Sequence, residues 1–398
     1  MNLPRIIRVT HVNYYSGVGG AYKAMHRIHT FLKSKTTVES TVVTNENAEF
    51  GTNSVKWKLI KKFERVILRL NGFNRRRPFS YYYFHDRRAL QCIDVTKIDV
   101  LHLHWVGNGM VPFEKLTFID KPLFISLHDF FPITGGCHVL GDCDGYKGGC
   151  KSCPLLFKNS SLANRALAKK IACLENLNVT FICPSKWVSE VLRESYLYKV
   201  LTPKLVVIPN ILNDDYNKDR NILKSKSEKL KPVVCYGAVG ASTDINKGFF
   251  RILPILEKLS EKFDFELIVF GDIGLSTLLN KTSIDFVNHG HVSEQELKKI
   301  YVNSNLTIVP SYQETFGQVA LESIAMGTPV VCFKGTGLDD IVLDGVNGFI
   351  CTDDEPDKTL TRIKYCLENE FSYESLSQSI EKFTSKNVGK NILKAYFD

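Results

Sequence analysis

No apolar run in the 398 residues approaches the ~20 needed to cross a bilayer. No secretory leader is expected either. The apolar stretch within Met1–Tyr15 is short and is broken by Arg8, Thr10, His11 and Asn13. The expectation is a cytoplasmic protein, in which most of the eleven cysteines are reduced thiols. There is no internal repeat and no low-complexity tract. No G-x-G-x-x-G follows the first predicted strand, which argues against a dinucleotide oxidoreductase. No nucleophile–base–orienter triad is in evidence. Acidic residues are scarce in one place. Between Lys56 and Arg77, Glu64 stands alone among nine lysines and arginines, while the rest of the chain is nearly neutral. The net charge of +9 is thus a local patch. No recognisable nucleic-acid module accompanies it, so nucleic acid is not an expected partner.

The length suits two domains. Short β-branched or apolar runs recur at Arg5–Val12, Glu39–Thr44, Val100–His104, Leu123–Leu127, Thr180–Cys183 and Leu205–Ile208. They recur again at Val233–Tyr236, Glu266–Phe270, Leu306–Val309 and Val330–Phe333. Such runs mark strands buried on both faces of a parallel sheet. Helical patterns separate them: Ala21–Leu32, Lys186–Arg193 behind an N-cap at Ser185, Phe249–Phe263, Glu294–Val302 behind a Ser293/Glu296 capping box, and Gln318–Met326 ended by Gly327. The predicted class is α/β, with two doubly wound Rossmann-like domains facing across a cleft. The boundaries expected are 1–212 for the first domain, 213–231 for a polar linker, 232–375 for the second, and 376–398 for a segment returning to the first.

Ligands of doubly wound sheets bind beyond the carboxyl ends of strands. In Pro310-Ser-Tyr-Gln-Glu314-Thr-Phe-Gly317-Gln-Val-Ala-Leu-Glu322 a predicted strand ends, a loop carries Glu314 and a helix begins near Gly317. Free N–H groups at a helix start suit a phosphate, and a glycine lets it approach the backbone. Glu314 is placed to accept hydrogen bonds from sugar hydroxyls, and Glu322, about one and a half turns on, from ribose hydroxyls. Two solvated glutamates flanking a core helix would give the same spacing.

Order and spacing over about sixty residues add to this. Gly290-His-Val-Ser-Glu-Gln-Glu-Leu, the Pro310–Glu322 stretch, Ala325-Met-Gly-Thr-Pro-Val-Val and Thr336-Gly-Leu-Asp-Asp-Ile-Val-Leu-Asp-Gly-Val-Asn-Gly-Phe resemble the donor-binding region of the retaining, group-1 (family 4 type) glycosyltransferases with the GT-B fold. The resemblance implies a nucleotide-diphosphate sugar as donor and no cofactor for catalysis. The acceptor it implies is a glycan or lipid-linked saccharide. By the same resemblance Glu314 contacts the donor sugar near its reacting carbon, and Glu322 binds the ribose. Phe316, Gly317 and Gln318 present the helix start to the diphosphate, and Lys247, in Asn246-Lys247-Gly248, pairs with it. His128, in Ser126-Leu-His128-Asp129, lies beside the donor sugar. Gly17-Val-Gly19-Gly20-Ala resembles the glycine-rich loop after the first strand, used near the phosphate and acceptor. One position departs from the pattern: Ala238 stands where the family usually has an arginine, and no arginine occurs from Gly237 to Gly248. That departure keeps a catalytically silent sugar-nucleotide-binding or scaffold protein of the same fold as the alternative reading.

Two further features stand apart. Cys137, Cys143, Cys150 and Cys153 fall within seventeen residues, with His138 as a spare ligand. They fit a structural zinc, reduced buried thiols or a disulfide. Similar loops occur in a subset of the family associated with exopolysaccharide synthesis, of colanic-acid type. In Val55–Leu70, Leu59, Ile60, Phe63, Val66, Ile67 and Leu70 recur at helical spacing among lysines and arginines. A basic amphipathic helix of this kind is either a contact with the cytoplasmic face of the inner membrane or a helix packed on its own domain.

Overall fold

The computed structural model describes residues 6–46, 55–74, 77–80, 93–219 and 231–397. The chain divides into two units, Met1–Ile211 with Gly389–Asp398, and Leu212–Val388. Each is built on a six-stranded sheet in which every neighbouring pair is parallel.

The sheet of the first unit comprises β1 (Ile7–Val12), β2 (Val38–Val43), β3 (Val100–Leu103), β4 (Leu123–Ser126), β5 (Val179–Cys183) and β6 (Lys204–Val207), in the order β2-β1-β3-β4-β5-β6. Its central strands β3, β4 and β5 are buried at every residue, as their continuous apolar runs require. Leu101, Leu103, Leu123, Ile125, Phe181 and Cys183 point into one apolar core. Side chains alternate along a strand, so His102 and His104 share the opposite face. His11 lies beside His102 in register, and Phe124 beside it on the other side.

The second sheet comprises β7 (Val233–Gly237), β8 (Glu266–Phe270), β9 (Asp285–Asn288), β10 (Leu306–Val309), β11 (Val330–Phe333) and β12 (Gly348–Cys351), in the order β12-β11-β10-β7-β8-β9. It is packed on both faces. Val233, Cys235, Val330 and Cys332 belong to one apolar cluster, and Val234, Tyr236, Val331 and Phe333 to the other. The ten expected strands are all present. Two edge strands, β9 and β12, were not expected. An edge strand has less need of two-sided burial, and β9 alternates exposed with half-buried residues instead of forming an apolar run. The helix starts are those expected at Ser185, whose hydroxyl accepts from Val188 N–H, and at the Ser293/Glu296 capping box. Within 213–231, Asp214–Asp219 is a helix whose Tyr216 is fully buried, and residues 220–230 lie outside the described residues.

The strand orders set where a ligand can enter. The strand order reverses between β1 and β3 in the first unit and between β7 and β10 in the second. The crevice beyond the carboxyl ends at such a reversal is the usual ligand position.

Candidate active site

In the second unit the loops following β7 and β10 are bonded to each other. Tyr312 N–H donates to Asn246 O (2.9 Å) and Gln313 N–H to Asn246 Oδ1 (3.0 Å), while Asn246 Nδ2 donates to Gln313 O (2.9 Å). A third loop joins through Gly337 N–H, which donates to Glu314 O (2.7 Å). The structure therefore brings Lys247 and Glu314 together on loops that share one hydrogen-bonded frame. Tyr236 OH donates to Lys247 O (3.1 Å), fixing the backbone of that turn. Lys247 forms no ion pair among the described residues.

The helix Gln318–Ala325 starts at Gly317 with no side-chain cap and no acid in its first turn. Its leading N–H groups are thus available to an anion. Gly317 is needed for the local geometry as well. Its φ is +105°, and a Cβ there would lie 2.3 Å from Leu338 Cδ2. Phe316 is a core residue, 2 % exposed and edge-on to Phe383 at 5.6 Å, so only its backbone is available to a ligand. Gln318 has both amide atoms shielded from solvent and without a partner among the described residues, the condition a bound ligand can relieve. Glu322 is 2 % exposed. Burial, and next the charge of Glu322, hold the Tyr301 phenol well above its ordinary pKa.

Arg251 does not take the place of the absent arginine. Its guanidinium pairs with Asp353 (Nη2 to Oδ2, 2.6 Å), lies 3.6 Å from the Phe333 ring centre and donates to Pro310 O (3.2 Å). It is spent on holding the β10 loop from below.

In the first unit, Gly19 and Gly20 begin the helix Gly20–Lys33, again without a side-chain cap or first-turn acid. A Cβ at Gly17, Gly19 or Gly20 would meet nothing within 4 Å, so the loop borders open space. A cavity of about 250 Å³ lies beside it, lined by Ser16, Tyr22, His26, His29, Thr44 and Glu46 among others. Tyr22 and His26 stack at 5.6 Å and 11°. The spacing of Tyr22, His26 and His29, one helical turn apart each, was the signal for this cavity in the sequence, and the sequence reading passed over it. His128, at the end of β4, is half-buried and bonded to His104 (Nδ1 to Nε2, 2.9 Å). Burial lowers its pKa to about 4, so it is neutral at neutral pH.

Among the described residues, no three of the four cysteine sulfurs lie within 4.8 Å of one another. Among the described residues, the one set of three or more metal-capable side chains with ligand atoms all within 4.8 Å of one another is His11, His102 and His104. Cys137, Cys143, Cys150 and Cys153 are free thiols. Cys137 and Cys153 are hydrogen-bonded, which lowers the Cys153 pKa and raises that of Cys137; Cys150 Sγ accepts from Gly135 N–H (3.3 Å). Other groups hold this loop. His138 bridges Asp129 (2.5 Å) and Ser80 (2.7 Å) and stacks on Trp105. The fully buried Lys170 donates to Phe131 O (2.5 Å) and Thr134 O (3.0 Å). Burial lowers the Lys170 pKa to about 7.

Residues 218–383 match the family model described as glycosyl transferases group 1. This segment is similar to the group 1 glycosyl transferases. The matched segment contains Lys247, Glu314, Gly317 and Glu322. An uncharacterized glycosyltransferase of Methanocaldococcus jannaschii is 26% identical over 362 residues, covering 82% of this chain and 85% of that protein. The capsular polysaccharide biosynthesis glycosyltransferase CapM of Staphylococcus aureus is 23% identical over 189 residues, 45% of this chain and 49% of that protein. Among solved structures, the Anabaena protein HepE in complex with UDP and glucose superposes with a TM-score of 0.59 at 14% identity, over 98% of this chain and all of that one. The two parallel sheets are thus those of the GT-B fold.

Proposed function

We propose that this chain is a retaining glycosyltransferase that moves a sugar from a nucleotide-diphosphate donor to a hydroxyl of a glycan or lipid-linked acceptor in surface-polysaccharide synthesis. The observation that carries the reading is the β7–β10 reversal. An uncapped helix start at Gly317–Gln318 and the ammonium of Lys247, without an ion pair among the described residues, stand on loops joined by the Asn246–Gln313 bonds. A diphosphate is the ligand that uses both. In transfer, the bond from the anomeric carbon to the diphosphate oxygen breaks, and the acceptor oxygen bonds on the same face. The acceptor proton passes to the departing phosphate. Lys247 and the helix start stabilise the charge that builds there, and Glu314 orients the sugar through its hydroxyls. Glu322 takes the ribose. The relation to CapM supports a polysaccharide setting.

The helix Val55–Leu70 supports a membrane-surface position for this reaction. Leu59, Phe63, Val66 and Leu70 are 60, 57, 44 and 71% exposed and form one stripe at spacings of four, three and four. Lys58, Lys62, Arg65 and Arg69 are exposed beside it. The one acid of the helix, Glu64, is buried and paired with Lys61 at 2.6 Å. An apolar stripe flanked by cations matches an anionic bilayer surface. A nucleic acid offers the stripe nothing, and a second copy would bring like charges together. No described helix is long and apolar enough to cross the membrane. Arg75 and Arg76 lie outside the described residues.

The test is a thermal-shift panel of UDP-, GDP- and ADP-sugars, followed by transfer assays with the donor that stabilises the protein. Glu314→Ala and Lys247→Ala should each abolish transfer while the protein stays folded. Full turnover in both would refute the site. Stabilisation by a donor without turnover in the wild type would assign the silent binding role instead.

A further inference from the structure

Four histidines meet on one face of the first sheet. His11 on β1 and His102 on β3 are fully buried, and His104, just past β3, is 2 % exposed. His128 follows β4 and is half-buried. Three of the rings form a hydrogen-bonded chain, His11 Nδ1 to His104 Nε2 (3.0 Å) and His104 Nδ1 to His128 Nε2 (2.9 Å). The fourth braces it. His102 bonds Ser126 Oγ through Nε2 (2.8 Å) and Tyr396 OH through Nδ1 (2.6 Å), and its ring centre lies 4.0 Å from that of His104.

Burial lowers the pKa of all four, to about 3 for His11 and about 4 for His128, so each ring is neutral and carries one N–H. Two bonds among three neutral rings leave two proton arrangements. In one, every shared proton points toward His11, and His11 keeps its own on Nε2. That atom is buried and has no partner among the described residues, so a donor would be stranded. In the other, every ring is protonated on Nδ1, and His11 Nε2 is a bare lone pair. Buried N–H groups without an acceptor are rarer than under-used acceptors. The second arrangement is therefore the lower in energy. The neighbouring carboxylate of Asp129 does not reverse it. Its Oδ2 is bound to His138 Nδ1 (2.5 Å), and its Oδ1 accepts from Phe131 N–H (2.9 Å).

We propose that His104 and His11 are positioning residues that hold His128 as the neutral imidazole protonated on Nδ1. His128 then carries its proton on Nδ1, with its Nε2 lone pair already occupied by His104. The tautomer of one ring nitrogen is set by the bond its partner makes. This inference rests on the reading that His128 lies beside the donor sugar. A metal at His11, His102 and His104 is the competing use of these rings. It would have to break the His11–His104 bond and the pairing of His102 with Ser126 or Tyr396.

The experiment is a long-range ¹H–¹⁵N correlation spectrum of the full chain labelled with ¹⁵N-histidine at neutral pH, with His128 assigned through His128→Gln. The expected spectrum shows His128 protonated on Nδ1 and unprotonated on Nε2. In His104→Leu the His128 signals should move to a mixture of tautomers. Its kcat should fall about 10- to 100-fold, the usual range for loss of an orienting partner, with KM little changed. His104→Asn, whose amide can still donate to His128 Nε2, should recover much of both. A wild-type His128 protonated on Nε2, or a His128 spectrum unchanged in His104→Leu, overturns the proposal. So does stoichiometric metal in the purified protein. If His104→Leu fails to fold, the wild-type spectrum and His104→Asn still decide. Full turnover in His128→Gln would remove the donor-side reading of His128 and leave the tautomer assignment to the spectra alone.

Discussion

Replacing Gly248 by alanine should uncouple the two loops that carry Lys247 and Glu314. Gly248 has φ +70° and ψ +15°, and a Cβ there would lie 1.9 Å from Pro310 O. Real Cβ contacts stay beyond 3.0 Å, so the loops must separate by roughly 1 Å. The obstacle is backbone, which cannot rotate aside. Gly240 supplies the control, because it has φ +71° in the same loop and nothing within 4 Å of its Cβ position. Both variants bear the left-handed penalty of about 1–2 kcal/mol. Only Gly248→Ala also strains the three bonds between Asn246 and residues 312–313, each worth about 0.5–1.5 kcal/mol. The extra loss should be about 2–4 kcal/mol, a large share of an ordinary stability of about 5–15 kcal/mol. Urea unfolding curves of the two variants measure it. A displacement near 1 Å between catalytic groups costs roughly 100-fold in rate, so transfer by Gly248→Ala should fall about that far below Gly240→Ala. Equal unfolding midpoints, or equal transfer rates, would refute the reasoning.

Two other predictions follow from the first unit. Vesicles rich in an anionic phospholipid should float the protein at low salt and lose it at high salt. Burial of one large apolar side chain is worth about 1.5–3 kcal/mol, so Phe63→Glu should weaken that binding by tenfold or more, and flotation indifferent to salt and to Phe63→Glu would count against the membrane reading. The buried histidines should also make the protein acid-labile. Their folded pKa values lie below the ordinary value near 6.5, so below that pH the unfolded chain binds more protons. Stability is intact above pH 6.5 and is lost as pH falls toward 4, by about 1.4 kcal/mol per pH unit for each such ring. Urea midpoints from pH 7.5 to 5 should show this slope, made shallower by His128→Gln; a flat profile would contradict it.

The central strands were readable because a strand buried on both faces has to be written in apolar residues, as in Leu123–Ser126. β9 and β12 were not, because an edge strand escapes that demand. The β7 and β10 loops announced themselves by order and spacing. Other parts of the site depend on contacts that spacing does not encode. Gly317 read as a residue that admits a phosphate, and the structure adds that Leu338 leaves no room for a side chain. Phe316 read as part of the binding surface, and its ring is in the core. The chain from His11 to His128 joins residues 93 and 24 positions apart, brought together by the parallel register of β1, β3 and β4. The cysteine cluster shows the converse. The spacing fitted zinc, reduced thiols or a disulfide with His138 as a spare ligand, whereas His138 is bonded to Asp129 and Ser80, and Lys170, which also holds the loop, could not be read from that spacing.

Tyr396 has a consequence for how the protein is made. The first unit begins to form as soon as its early strands leave the ribosome, yet the hydroxyl that braces His102 belongs to residue 396, and Gly389, packed on Phe31, is nearly as late. The unit synthesised first is therefore the unit completed last, after all of Leu212–Val388 has been translated. During that interval His102 on β3 and Phe124 on β4 lack their contacts with Tyr396. A late frameshift would by the same logic damage the histidine face at the front of the sequence.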